Sequence, residues 1–350
     1  MPHAVISTMP MQGDQRLANI ASRLVLQYHV PAMGIAVVTS RGLKAIGVAG
    51  HRKVDNPTPV TAEDQWHLGS CTKMMTAVVG AQIVESGKLR WDTPVSQLAT
   101  SNQTSNHGWE SITFDHLLSH RAGLESDLDW RALRSRAEAA SHILSSPPTL
   151  PVGKYAYSNT GYVLSAAMCE QAMGRTWENL LSQEVWKPLQ ITKAGYGSMG
   201  KYGQVDQPWG HTEDGKVAGN GPEADNPPIL GPAGSAHMSL SDWGRFIADQ
   251  LRGARDERGL LTAESYRHLY SPWLDDDTER GYDIARGWGV ARRPWAKGLA
   301  YSHSGSNGFH YSVVWLAPAI DFAVLVTTNQ GGAEEVTDRA AAATISEFVP

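Results

Sequence analysis

The sequence predicts an α+β protein: a mostly antiparallel sheet flanked by helices, interrupted by a mainly helical insertion. Three observations predict it. Short apolar, β-branched runs gather near both chain ends. The segments between them repeat apolar residues at helical rather than strand spacing. One long stretch, Asp206 to Gly234, carries five prolines and six glycines and no core pattern, and loops that long are uncommon unless they serve a site or are disordered.

In chain order, Leu17 to Tyr28 reads as an amphipathic helix that Pro31 ends. Met33 to Thr39 and Leu43 to Ala49 are strands, and Ser40-Arg41-Gly42 between them makes an antiparallel hairpin. Helical segments follow at Ser70 to Ser86, Phe114 to Ser119, Arg131 to Leu144, Thr160 to Met173, Trp177 to Trp186 and Ser241 to Arg252. Strands return at Gly287 to Ala291, Phe309 to Leu316 and Phe322 to Thr328, the last two joined by a turn over Pro318 to Asp321. An alanine-rich helix, Glu334 to Phe348, closes the chain. The expected division is therefore a discontinuous sheet unit, residues 1–69 and 280–350, around a mainly helical unit, 70–279.

Composition narrows the function. A chain of 350 residues with 41% hydrophobic residues can bury a full core, which excludes disordered and disulfide-stapled scaffolds. Lys plus Arg number 30 against 35 Asp plus Glu, a net charge of -5, and no basic run occurs, so no nucleic-acid partner is expected. No apolar run reaches 18 residues, so no membrane span is expected. The start MPHAVISTMPMQGDQ lacks a basic segment followed by an apolar one. That reads as cytoplasmic on the sequence as it stands, and as periplasmic or secreted if a leader has been removed. Cys71 and Cys169 read as two reduced, buried thiols, since two cysteines make neither a disulfide scaffold nor a cysteine zinc site.

Three short segments carry chemistry. Ser70-Cys71-Thr72-Lys73 heads an apolar helix, where residues three apart share a face, so the Ser70 hydroxyl and Lys73 amine can meet. The helix start adds backbone N–H groups and a positive dipole end suited to an oxyanion. Lys73 acts as a base only if its surroundings lower its pKa, and neutral Met74 and Val78 are compatible with that. Tyr157-Ser158-Asn159 follows the turn Pro151-Val152-Gly153 and precedes a helix. Its phenol can relay a proton, and its amide can hold both a lysine and a substrate carbonyl. Tyr301 to Gly308 reads as a segment of small residues directly before a strand, where Gly305 and Ser306 let a substrate backbone lie along the edge. The Ser306 N–H is a second candidate oxyanion donor.

Together, Ser-x-x-Lys, Tyr-Ser-Asn and His303-Ser304-Gly305 resemble the penicillin-recognising serine hydrolases. The Tyr-x-Asn element is similar to that of class C β-lactamases, D-alanyl-D-alanine carboxypeptidases and related esterases, and departs from the Ser-Asp-Asn of class A. Leu117 to Leu124 resembles the family's Leu-Leu-Thr-His-Thr-Ser-Gly-Leu, and Pro232 to Ser235 its Pro-Ala-Gly-Gly. The match runs in order from about Ala32 to Asn329. The resemblance implies a β-lactamase-like fold, an antiparallel sheet beside an all-helical domain with the site between. It implies Ser70 as nucleophile, Lys73 as its partner, Tyr157 as proton relay, and Asn159, His303, Gly305 and Ser306 as substrate-binding groups. It implies no cofactor and no metal, and a small-molecule or short-peptide substrate.

Rival readings are weaker. His116 and His120 stand four apart as a metal pair would, but no His-Glu-x-x-His occurs, and Gly-x-Ser-x-Gly is also absent. A catalytically silent binding or sensor module is disfavoured by intact Ser70, Lys73, Tyr157 and Asn159. Trp209, Trp273 and Trp288 are candidates for the cleft wall. The expected activity leans to small esters, amides or D-amino-acid peptides with weak β-lactamase activity. A class C-type β-lactamase or D-alanyl-D-alanine carboxypeptidase is the alternative.

Overall fold

A computed structural model describes residues 9–99, 106–273 and 281–349. The first eight residues, part of the reading of the N-terminus, and the expected boundary at 280 lie outside them.

The first part of the chain holds β1 (Met11–Gly13), α1 (Gln15–Tyr28), β2 (Ala32–Thr39), β3 (Gly42–Gly50) and β4 (Gln65–His67). The middle holds α2 (Thr72–Glu85), α3 (Phe114–Leu118), α4 (Arg136–Leu144), α5 (Asn159–Met173), α6 (Trp177–Leu180) and β5 (Ala194–Tyr196). A small hairpin, β6 (Gly210–His211) and β7 (Val217–Gly219), leads to α7 (Gly231–Gly234), β8 (Ala236–Ser239), α8 (Leu240–Ala254) and α9 (Ala263–Tyr270). The last part holds β9 (Asp283–Ile284), β10 (Gly289–Arg293), β11 (Gly298–Ser306), β12 (Tyr311–Ala317), β13 (Phe322–Thr328) and α10 (Glu334–Phe348).

Eight strands form one antiparallel sheet in the order β1-β3-β2-β13-β12-β11-β10-β9. Strand β2 is buried on both faces because alternate residues serve different layers. Met33, Ile35 and Val37 pack with α1 and α10, while Ala36 and Val38 join the large core that runs into the helices. Helix α8 covers this second face so closely that a Cβ on Gly34 would meet Leu240, and one on Gly244 would meet Val38. One buried cluster thus passes from the sheet through α2 and α5.

Three local expectations shift. The segment Tyr301 to Gly308 is not a loop before a strand: it is β11 itself as far as Ser306, paired with β12 from Tyr301↔Leu316 to Ser306↔Tyr311. Its serines and glycine hide the apolar alternation that marks a strand. The helix expected from Arg131 begins at Arg136, capped by the Ser135 side chain, and the Trp177 to Trp186 helix turns into a π-helix after Leu180. A short three-stranded sheet, β4-β8-β5, has no counterpart in the sequence reading.

A buried ion pair joins α3 and α9 to the segment before β10. Arg286, just before β10, donates to both carboxylate oxygens of Asp115 on α3, and His268 of α9 hydrogen-bonds the same group at 2.8 Å. Burial alone would raise the Asp115 carboxyl, but the hydrogen bonds from His268 and Arg286 and their charges outweigh it. They hold the carboxyl well below the usual range. The contribution to stability is therefore complete above the unfolded value near 3.8 and is lost as pH falls toward the lower folded value. Asp115→Ala leaves the Arg286 guanidinium buried without its partner, and should cost about 3–5 kcal/mol in chemical denaturation at neutral pH. The difference from wild type should narrow in acid below pH 4.

Candidate active site

Ser70 sits in a tight turn, Gly69–Cys71, that runs straight into α2. The turn is pressed backbone-to-backbone against β11. Gly69 has φ +49°, and a Cβ there would stand 2.3 Å from the Ser306 nitrogen; a Cβ on Gly305 would stand 2.5 Å from the Ser70 nitrogen. Two glycines are what allow strand and turn to touch. Beyond Ser302 strand β10 has ended, so among the described residues His303 to Ser306 have no β10 partner on that side.

Lys73, one turn into the helical segment, is fully buried. Its Nζ donates to Ser70 Oγ at 3.0 Å, to Asn159 Oδ1 at 2.6 Å and to the Ala233 carbonyl at 2.7 Å. Burial lowers its pKa to about 7, while the nearby Asp127 carboxylate pulls weakly the other way. The geometry has a consequence for the neutral amine. Two of its three partners are carbonyl oxygens that can only accept, so once one proton leaves, the lone pair faces Ser70.

Tyr157 approaches from the other side and donates its O–H to Ser70 Oγ at 2.8 Å. Burial raises this phenol's pKa, so it stays protonated near neutrality. Its ring stacks on His120, centroids 4.5 Å apart. His120 lies beyond the end of α3 with φ 59°, and its Nδ1 accepts the Ser158 N–H at 2.9 Å. Its former companion His116 instead closes a capping box with Thr113. The two histidines thus serve different partners.

His303 projects from β11 and its Nδ1 donates to the Gly287 carbonyl at 2.8 Å. Burial lowers its pKa to about 4, aided by Lys73 nearby, so its ring is neutral and presents only Nε2 as an acceptor. The structure records no bond from His303 to Tyr157, although both line one cavity of about 490 Å³ with His120, Tyr155, Trp288 and Ser304. Of the three tryptophans expected at the cleft, Trp288 alone lines this cavity. Trp209 lies under Lys53, and Trp273 packs on His116. Cys71 and Cys169 are both buried and free.

The sequence reading missed Asp127. Its carboxylate accepts both contacts from Asn159 Nδ2, at 3.0 and 3.1 Å, and so turns the amide oxygen toward Lys73. It also takes the Trp130 indole N–H and the Ser126 hydroxyl. Its only sequence signal is an acidic run directly after Leu124. The role of the Ala233 carbonyl was equally invisible, because backbone acceptors leave no mark on side-chain pattern.

An antiparallel sheet, a helical region and a serine gripped by a buried lysine and a tyrosine together define a penicillin-recognising serine hydrolase scaffold. The chain belongs to the beta-lactamase family, whose family model matches residues 15–346. It is 25% identical over 340 residues to the unguisins hydrolase ungD' of Aspergillus campestris (strain IBT 28561), covering 90% of this chain and 61% of that protein. It is 24% identical to penicillin-binding protein 4 of Amycolatopsis lactamdurans, covering 87% of this chain and 82% of the relative. The octameric penicillin-binding protein homologue from Pyrococcus abyssi shares the fold, with TM-score 0.78, 20% identity and coverage of 95% and 77% of the two chains.

The Lys73 environment fixes a pH dependence. The neutral amine is the form able to take the Ser70 proton, and its fraction grows about tenfold per pH unit below the pKa of about 7. Covalent labelling of Ser70 by a fluorophosphonate should therefore accelerate about tenfold per unit up to that pH and then level. Lys73→Arg, which cannot shed its proton, should slow labelling by orders of magnitude at every pH. Rates measured by intact mass between pH 5 and 9 decide it.

Proposed function

We propose that this protein is a serine hydrolase that cleaves an ester or amide bond through an acyl-enzyme on Ser70. The observation that carries this reading is the three-way grip on Lys73, which leaves the neutral amine's lone pair for the Ser70 hydroxyl. In acylation Ser70 Oγ attacks the substrate carbonyl while its proton passes to Lys73. The N–H groups of Ser70 and Ser306 take the oxyanion. When the tetrahedral adduct collapses, Tyr157 gives its proton to the leaving group and regains one from Lys73, whose Nζ lies 4.8 Å from the Tyr157 ring centroid. Water then adds to the acyl carbonyl, losing its proton to the same pair, and Ser70 leaves as the alcohol. Asn159 holds Lys73 in place and borders the substrate. A hydrolase and a penicillin-binding protein among the relatives support this chemistry.

The charge of the cleft supports small neutral esters and amides, or D-amino-acid peptides, over carboxylate-bearing β-lactams. A substrate carboxylate at His303 meets a neutral acceptor nitrogen instead of a cation. It forgoes a charge-assisted bond, on the order of 1 kcal/mol or more. Asp127, one side chain beyond Lys73, adds a like charge. A class C-type β-lactamase or D-alanyl-D-alanine carboxypeptidase remains the second reading, favoured by the Tyr157–Asn159 arrangement it shares.

One experiment tests both levels. The protein is exposed separately to a short p-nitrophenyl ester, a D-alanyl peptide and a penicillin, and followed by intact mass and turnover. One acyl adduct should form on Ser70 and none on Ser70→Ala, and kcat/KM for the ester should exceed that for the penicillin. His303→Lys should move the ratio toward the penicillin. An adduct on another serine overturns the mechanism, and a wild-type preference for the penicillin overturns the substrate assignment.

A further inference from the structure

Behind the Ser70 turn lies a buried polar network that the acyl-transfer chemistry does not use. His67 ends β4 two residues before Gly69, and Asp225 lies in the connection between β7 and α7; they are 2% and 4% exposed. His67 Nδ1 accepts the Gly69 N–H at 3.0 Å. A ring that accepts at Nδ1 carries its proton on Nε2, and Nε2 lies 2.9 Å from Asp225 Oδ1, an ion-pair contact approached off the N–H direction rather than a hydrogen bond. The same oxygen accepts Asn307 Nδ2 at 3.1 Å. Asn307 directly follows Ser306, and its Oδ1 takes the N–H groups of Phe309 and His310, which shapes the turn from β11 to β12.

We infer that Asp225 is a positioning residue that sets the spacing between the Ser70 and Ser306 N–H groups. One arm runs from its carboxylate through His67 to Gly69 and so to Ser70; the other runs through Asn307 to Ser306. The inference rests on the acyl-enzyme reading above. Donors of an oxyanion act at 2.7–3.1 Å from the developing charge, so tenths of an ångström in their separation matter. The glycine contact between turn and strand limits how near the two segments come, since Gly69 and Gly305 already touch backbone atoms. It does not stop them sliding past each other. A carboxylate oxygen in contact with His67 and hydrogen-bonded to Asn307 does. The other ionisable groups packed around the pair are His310, stacked on His67 at 5.7 Å, and His237 on β8. Burial brings their pKa values to about 3 and about 4, so neither charges near neutral pH.

The test uses the full chain, a short p-nitrophenyl ester and an alkylboronic acid, which adds to a serine hydroxyl as a tetrahedral anion. Asp225→Ala should lower kcat about 100-fold, the cost of misplacing a reacting group by about 1 Å, with KM changed less than about twofold. Boronate affinity should fall with kcat. Asp225→Asn keeps an oxygen for His67 and Asn307 and should recover most of both. Asn307→Ala, which cuts only the second arm, should reproduce the kcat-selective loss and carries the test should Asp225→Ala fail to fold. Wild-type kcat in Asp225→Ala or Asn307→Ala overturns the inference. So does a loss of kcat that leaves boronate affinity unchanged, or an equal loss in the asparagine variant. A wild-type protein that neither turns over the ester nor binds the boronate overturns the acyl-enzyme reading itself, and the positioning role falls with it.

Discussion

Everything at the candidate site depends on one amine that has been taken out of water. Lys73 is buried, and a charged ammonium there loses its hydration without gaining a contacting anion. Three oxygens from three separate parts of the chain replace the water: Ser70 Oγ, Asn159 Oδ1 and the Ala233 carbonyl. They satisfy the amine, while burial, the largest cause, brings its proton affinity near neutrality. The fold has to deliver all three to one point. This explains why a turn, the start of α5 and the short helix α7 meet where they do.

The sheet contributes rigidity on the opposite side. Strand β11 is held by β12 along its whole observed register and meets the Ser70 turn through Gly69 and Gly305. Backbone against backbone is the stiffest contact available, since no rotamer can relax it. His303 extends the arrangement by tying β11 to Gly287, and a Cβ on Gly287 would lie 3.0 Å from Met74 Cα on α2. Strand, connection and helix therefore bracket the lysine. Asp115 and Arg286 secure the same connection from the side of the helices.

Much of this was legible in the sequence, for identifiable reasons. Helices α1 and α8 announce themselves by periodicity and a capping residue, α5 by the Ser158 cap, α2 by its nearly continuous apolar run, and β2, β3 and β13 by β-branched runs. Ser70, Lys73, Tyr157 and Asn159 fall in motifs whose spacing reports a shared face or a shared loop. What stayed hidden has a different physical origin. Strand β11 is recognisable only from its partner, because serine and glycine pack by being small rather than by being apolar. Asp127 and Asp225 act through bonds to residues 32 and 82 positions away, and one sequence holds no record of such pairings. The Ala233 carbonyl belongs to the backbone, which every residue has.

The position of Asp127 shows how finely the charges are separated. A carboxylate in direct contact with Lys73 would make an ion pair, hold the proton, and leave no neutral amine facing Ser70. A site with no carboxylate nearby would let the amine fall further in proton affinity and become a weak acceptor. Here the carboxylate stands one amide away. Asn159 donates its two contacts to Asp127 and offers its oxygen to Lys73, so it transmits orientation across the gap while carrying no charge of its own. Asp127 accordingly raises the Lys73 proton affinity, but by less than burial lowers it. A lysine whose pKa rests near 7 is the outcome of those two opposed effects, of which burial is the larger.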